Sequence, residues 1–228
     1  MKKVLVTSGG TFEYIDEVRG ITNISTGKLG AIIASDLANT GGIEVYYLHS
    51  KTAVIPTNIS IMKDIEVRTA QDTLEKMKEI ITSEKIDVVI HAMAVSDFTF
   101  KRDGNVKLKS NDPEAFIEYL GKTITLNPKI ISHIKEWDPK IFLIGFKFEV
   151  GYDLGKLKEA AQDSIKKNKC NLVIANDKKE MEIVGAHVAH FFYSAHTAIK
   201  YSCRDTMATS KEEISERICF LVSNVLTY

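Results

Sequence analysis

The chain has no long apolar run, few cysteines and no excess of either charge. A bilayer-crossing helix needs about 20 consecutive apolar residues, and no stretch approaches that length. The N-terminal Met1-Lys-Lys-Val-Leu-Val-Thr7 turns polar at Ser8-Gly9-Gly10 before a secretory core could form. Lys+Arg and Asp+Glu both total 30, which excludes the global field that draws a protein to nucleic acid or to a membrane surface. A local basic pocket stays compatible with that balance. Cys170, Cys203 and Cys219 are odd in number and lack metal-site spacing. Reduced thiols and a cytoplasmic location are therefore expected, and the sequons at Asn23 and Asn58 read as chance matches. His187 and His190 fall on opposite faces of an alternating run, which argues against a metal triad with His196.

The usual nucleotide fingerprints are also missing. Ser8-Gly9-Gly10-Thr11 does not supply G-x-G-x-x-G. Six residues separate Gly20 from Gly27, and Leu29 follows Lys28, so the stretch is not a Walker A loop. No acid follows the second strand, where Leu48 leads into His49-Ser50-Lys51, so the ribose contact of an NAD site is absent.

What is present is a regular alternation. Short, uniformly apolar runs at residues 4–7, 44–48, 87–91, 141–145 and 172–175 read as parallel strands covered on both faces. Between and after them, residues 27–39, 72–83, 154–169 and 212–226 carry apolar side chains at helical spacing. Strand alternating with helix predicts an α/β fold, a doubly wound Rossmann-like parallel sheet, here in one domain over residues 1–228. Two regions break the rhythm. Residues 98–110 are polar and too long for a βα turn, as in a lid or binding loop. Residues 187–193 and 197–201 alternate, which predicts a late antiparallel β extension made by that pair.

Several short segments can carry chemistry. Ser8-Gly9-Gly10-Thr11 follows a strand with a backbone open to close approach, and Ser25-Thr26-Gly27 opens a helix whose first amides and dipole favour an anion. Either is also explained by an ordinary turn or cap. Ala92-Met93-Ala94-Val95-Ser96-Asp97 follows a strand end, where ligands sit in doubly wound sheets. Its small residues admit a flat ligand, and Asp97 can accept from hydroxyls or cap a turn. Lys107 and Lys109 share one side of an extended segment and suit phosphate neutralisation, or equally a solvated edge. Phe146, beside Gly145, can contact a base or pack in the core. Asn176-Asp177 can reach the same crevice or form an Asx turn. Tyr152 and Lys156 match the Y-x-x-x-K of short-chain reductases, but the Gly-rich cofactor loop of those enzymes is missing and Gly155 suits helix entry.

In combination these blocks are far more specific. Thr7-Ser8-Gly9-Gly10-Thr11, Ile15-Asp16 with Val18-Arg19, Ile21-Thr22-Asn23 with Ser25-Thr26-Gly27-Lys28-Leu29-Gly30, Ala94-Val95-Ser96-Asp97-Phe98, Lys107-Leu108-Lys109, Asn127-Pro128-Lys129-Ile130, Gly145-Phe146-Lys147 with Glu149, and Ala175-Asn176-Asp177 occur in that order. The series resembles the phosphopantothenate–cysteine ligase family, up to about Asp177. The resemblance implies a CTP-dependent, Mg²⁺-dependent, homodimeric ligase of coenzyme A synthesis. It joins 4'-phosphopantothenate to L-cysteine through an acyl-cytidylate. It implies catalytic roles for Asn23 and Lys107. Substrate contacts fall at Gly10, Arg19, Ser25, Thr26, Gly27 and Ala94, and nucleotide contacts at Ala94, Asp97, Lys107, Lys109 and Phe146. It names no metal ligands. The chain starts at the motif-bearing strand, as in free-standing members.

There are departures. Ser25-Thr26-Gly27 replaces Ser-Ser-Gly and keeps both hydroxyls. Lys107-Leu108-Lys109-Ser110 has one charge fewer than the family's Lys-x-Lys-Lys. Ser164 and Asn168 stand where two nucleotide-contacting lysines are expected, flanked by Lys166, Lys167 and Lys169. Two other functions compete: a short-chain NAD(P)-dependent reductase using Tyr152, and a nucleotide-binding module without catalysis.

Overall fold

A computed structural model of the chain describes residues 1–102, 104, 107–109 and 111–227. From the N-terminus run β1 (Lys2–Ser8), a hairpin of β2 (Phe12–Tyr14) and β3 (Gly20–Thr22), α1 (Lys28–Asn39), β4 (Ile43–Ser50), β5 (Lys63–Val67) and α2 (Ala70–Glu84). The middle of the chain forms β6 (Val88–His91), β7 (Phe98–Phe100), α3 (Pro113–Thr123), β8 (Ile124–Leu126), α4 (Ile130–Trp137) and β9 (Phe142–Glu149). The last third forms α5 (Leu154–Asn168), β10 (Leu172–Asp177), α6 (Lys178–Val184), β11 (Ala189–Tyr193), α7 (Ala195–Lys200), β12 (Thr206–Ala208) and α8 (Lys211–Thr227).

Eight strands make the main sheet in the order β12-β11-β10-β9-β6-β1-β4-β5. Counting only its six parallel strands as they appear in the chain, the order is 3-2-1-4-5-6, the doubly wound arrangement of dinucleotide-binding folds. Alternation along the strands splits the core in two. Val4, Val6, Val88, Ile90 and Ile144 face α1 and α8, packing with Ile33, Leu37, Ile214 and Ile218. Leu5, Val89, Leu143 and Val173 face α2, α4 and α5, packing with Met77, Ile134, Leu157 and Ile165. Both faces are dry, which is why these strands read as unbroken apolar runs.

The late extension is antiparallel, as expected, but its composition differs. β11 pairs with β10 and then with β12, whereas residues 197–201 are not a strand. Ser194 caps a helix there, accepting from the Thr197 amide, and Thr197 is fully buried with its hydroxyl on Ser194. This local cap outweighs the period-two pattern. Residues 98–110 also begin with order: β7 pairs with β8 across a 23-residue excursion, 101–123, that contains α3. Asp103, Asn105, Val106 and Ser110 of that expected lid lie outside the described residues.

Leu143 is completely buried on a central strand. Leu143→Ala is expected to lower the unfolding free energy by about 2–5 kcal/mol through lost transfer energy and a residual cavity. Urea denaturation at unchanged slope reads this out. A loss below about 1 kcal/mol, the size of an ordinary surface effect, would contradict the packing described.

Candidate active site

In the 3-2-1-4-5-6 order the chain winds away in opposite directions from β1 and β6, and ligands of such folds sit outside the carboxyl ends of those strands. Here the two loops are laced together. The Ala94 amide donates to the Gly9 carbonyl at 2.8 Å, the Thr11 amide to Ala94 at 3.3 Å, and the Ser96 amide to Thr11 Oγ1 at 2.9 Å. Gly10 and Ala94 form an isolated parallel bridge. The loop carrying Asn23 lies directly over this pair. A Cβ at Gly10 would come within 2.6 Å of the Asn23 carbonyl oxygen, so only glycine permits the approach.

Ser25, Thr26 and Gly27 lead into α1. Gly27 has φ 68°, and a side chain there would meet Ser8 Oγ at 2.7 Å. Ser8 Oγ donates to the Gly27 carbonyl at 2.8 Å, tying the helix start to the end of β1. Gly27 provides no side-chain cap, so the first turn of α1 keeps donors available for a ligand. A cleft of about 720 Å³ opens beside this turn, and its lining includes Asn23, Ser25, Thr26, Gly27, Ala94 and Phe146. Most of the expected substrate contacts are thus brought together. Phe146 also lines a second, smaller cavity of about 180 Å³ that contains Asp97.

Asn23 is oriented more tightly than its exposure suggests. Its Nδ2 donates to the carbonyls of Ala94 at 3.3 Å and Val95 at 3.1 Å. The side-chain amide is thereby held against the turn that follows β6. Asp97 is ion-paired with Lys129 at the mouth of the smaller cavity.

Arg19, Lys107 and Lys109 line neither cavity. Arg19 is held by Asp16, a residue the sequence reading carried in a motif but gave no role. The Asp16 carboxylate is buried and accepts from the amides of Val18 at 2.9 Å, Arg19 at 2.7 Å and Leu108 at 3.1 Å. It also takes Arg19 Nε at 3.0 Å, while Arg19 Nη2 donates to the Leu108 carbonyl at 2.6 Å. The guanidinium stacks over Phe116, 5.1 Å from its centroid. Leu108 is therefore clasped through its main chain, and Lys107 and Lys109 extend exposed on either side of it. The i, i+3 spacing of Asp16 and Arg19 was the available signal, since Asp commonly accepts from amides two and three residues on.

Other candidates resolve into structural roles. Ser164 and Asn168 bond to one another along α5 at 3.2 Å. Asp177 caps α6 and accepts from the Tyr152 amide, while Asn176 faces the larger cleft. Tyr152 precedes the Asp153 cap of α5, so it does not share a helical face with Lys156 as a reductase pair would. Among the described residues, no group of three His, Cys, Asp or Glu side chains is placed to hold a metal ion.

Two buried groups give the site a defined acid response. Burial alone would raise the Asp16 carboxyl, but the amides of Val18, Leu108 and Arg19 outweigh it and hold the group down at about 2. Its contribution to stability is full above the ordinary value of 3.8 and is lost as pH falls towards 2. His91 behaves oppositely: burial pushes it from 6.5 down to about 4. The unfolded chain binds a proton below 6.5 that the folded chain refuses until about 4, so stability declines across that window. Burial lowers half-buried His187 as well, which adds to the decline. The melting temperature is expected to fall between those pH values, and His91→Gln to flatten the fall. An unchanged slope in that variant would assign the effect elsewhere. Asp16→Asn leaves Arg19 without its charge partner and is expected to cost on the order of 3 kcal/mol. It should also speed tryptic cleavage after Lys107 and Lys109, and equal cleavage rates would show that Leu108 is held by other contacts.

The comparisons with known proteins agree with this geometry. Residues 1–226 match the family model described as the DNA/pantothenate metabolism flavoprotein C-terminal domain. A coenzyme A biosynthesis bifunctional protein CoaBC from Thermococcus kodakarensis is 42% identical over 178 residues, covering 78% of this chain and 42% of the relative. The protein of the same name from Methanocaldococcus jannaschii is 31% identical over 216 residues, covering 95% of this chain and 49% of the relative. The chain thus spans less than half the length of either. The crystal structure of the DNA/pantothenate metabolism flavoprotein from Streptococcus pneumoniae superposes with a TM-score of 0.79 at 33% identity, with complete coverage of both chains. With the laced loops at the β1/β6 switch point and a family match over nearly its whole length, this chain belongs to the DNA/pantothenate metabolism flavoprotein C-terminal domain family.

Proposed function

We propose that this chain, as one domain over residues 1–228, is the ligase that joins 4'-phosphopantothenate to L-cysteine in coenzyme A synthesis. The observation that carries the reading is the cradle at the β1/β6 switch point. The open amides of α1, the Gly10–Ala94 bridge and Asn23 surround one cleft there. A carboxylate does not acylate an amine at neutral pH, so it must first be activated. In the proposed reaction a carboxylate oxygen of phosphopantothenate attacks the α-phosphorus of CTP, and the bond to pyrophosphate breaks. The amine of cysteine then attacks the acyl carbon, CMP leaves, and the ammonium proton is lost to solvent.

This chain's residues supply positioning and charge neutralisation. The α1 amides and the Ser25 and Thr26 hydroxyls hold an anionic substrate group. Asn23 donates to the negative charge that develops on the mixed anhydride. Lys107 and Lys109, presented by the Asp16–Arg19 clasp, neutralise nucleotide phosphates, and Arg19 acts on the substrate chiefly by holding that segment. Phe146 and Asp97 contact the nucleotide. Mg²⁺ usually takes one or two carboxylates together with substrate phosphates, and Asp97 offers such a carboxylate. A homodimer in the cytoplasm completes the proposal.

Purified protein given 4'-phosphopantothenate, cysteine and CTP is expected to release pyrophosphate. The same assay with the other nucleoside triphosphates measures base choice. Asn23→Ala is expected to lower kcat about 10²–10³-fold, as removal of an oxyanion donor does elsewhere, and Lys107→Ala should also lower turnover. No release with any nucleotide rejects the reading. Retained CTP binding without turnover favours the non-catalytic module instead.

A further inference from the structure

The amino ends of the parallel strands, opposite the cleft, border another cavity, of about 770 Å³. Lys2 opens β1 there, Asp87 precedes β6, Phe142 opens β9 and Asn171 precedes β10. Asn171 ties these ends together. Its Oδ1 accepts from the Leu143 amide at 2.8 Å, and its Nδ2 donates to Thr197 Oγ1 at 3.4 Å. Phe142 meets Tyr201 edge to face with ring centroids 6.0 Å apart, and Val225 and Leu226 of α8 add to the apolar lining. The volume is that of a small-molecule pocket.

The charges around it do not balance. Lys2, Lys85, Lys135, Lys140 and Lys200 line the cavity against two carboxylates, Asp87 and Asp138. Both carboxylates are engaged: Asp87 accepts from Lys2 Nζ at 3.3 Å and the Lys3 amide at 2.9 Å, and Asp138 from the Lys140 amide at 2.9 Å. Lys85, Lys135 and Lys140 have no ion-pair partner among the described residues. Lys135 is half-buried, and its Nζ donates only to the carbonyls of Pro139 and Ile141. Burial lowers its proton affinity, and the like charge of Lys169 lowers it further. Helix carboxyl ends attract cations, and α2, α4 and α8 all end on this side. Each supplies about half a negative charge, so together they offset about half of the excess. Lys85 and Lys169 also occupy left-handed C-caps, at φ 51° and 55°, where glycine is the unstrained choice. The strain of a side chain there outweighs what an exposed cation gains from the helix dipole, so the dipole alone does not account for lysine at either position.

We infer that this cavity is a second, non-catalytic binding site, for a small organic polyphosphate. The apolar lining takes the carbon body of the ligand, and Lys85, Lys135 and Lys140 take its phosphoryl charges, a task suited to flexible point charges. A singly charged anion would leave most of the excess uncompensated. The cavity and the cleft lie at opposite ends of the same strands, so the inference does not rest on the ligase reading.

The test titrates the full chain, ¹⁵N-labelled at histidine, with adenosine diphosphate, which joins an aromatic body to a polyanion. His196 lines this cavity and His187 the cleft, so their ring signals report the two sites separately. The His196 signal is expected to shift saturably, and to do so equally in Asn23→Ala. The double variant Lys85→Glu/Lys140→Glu changes two exposed side chains without partners, so the fold should persist. It is expected to weaken the His196 response about 10-fold, the worth of two exposed ion pairs, and to leave any His187 response unchanged. A His196 signal indifferent to adenosine diphosphate, a shift that does not saturate, or equal affinity in the double variant overturns the inference. Equal affinity for inorganic phosphate also overturns it, because that result marks general screening of the lysines rather than an organic ligand.

Discussion

Two backbone loops cannot approach each other at a sheet's carboxyl edge unless side chains are kept out of the way. The β1 and β6 loops meet through Gly9, Gly10 and Ala94, and this contact determines the position of everything that faces the cleft. Asn23 hangs from the carbonyls of Ala94 and Val95, so its placement is inherited from the lacing. Ser8 ties α1 to the same strand end. The Thr7–His91–Met93 network lies one layer beneath and crosses between the same two strands. The geometry of the candidate site is thus fixed by main-chain hydrogen bonds at the junction where the sheet reverses its winding.

The second constraint is electrostatic. Asp16 is buried without a water-facing edge, and a carboxylate in that position is tolerable only because five donors surround it. Two of these come from the Arg19 guanidinium and one from the Leu108 amide, so the cost of burying the charge is offset by ordering a distant loop. The hairpin of β2 and β3 therefore has two roles. It carries the clasp at its tip and delivers the chain to Asn23 at its base.

Much of the architecture was readable in the residues. Strands such as 4–7 and 172–175 are apolar on every side because helices cover both faces, and that pattern needs no tertiary knowledge. β5 was not read, since Lys63-Asp-Ile-Glu-Val67 is an edge strand with charges pointing outward. The start of α2 carried a sufficient signal that went unused: Thr69 and Asp72 form a reciprocal capping box. The mistaken strand at 197–201 shows the limit of alternation over five residues when Ser194 can cap a helix instead. For the site, Gly10, Asn23, Ser25–Gly27 and Ala94 do converge. Sequence could not show that Arg19 would be turned away from the cleft, because its partner Leu108 is 89 residues distant and is contacted only through its peptide group.

That last contact has an evolutionary corollary. Asp16 and Arg19 grasp the nitrogen and oxygen of residue 108, atoms that every amino acid except proline provides in the same form. The loop can therefore exchange the side chain at 108, and adjust the number of charges beside it, while the clasp stays closed. The doubly basic stretch Lys107-Leu108-Lys109 is one sequence that such a side-chain-blind grip accepts.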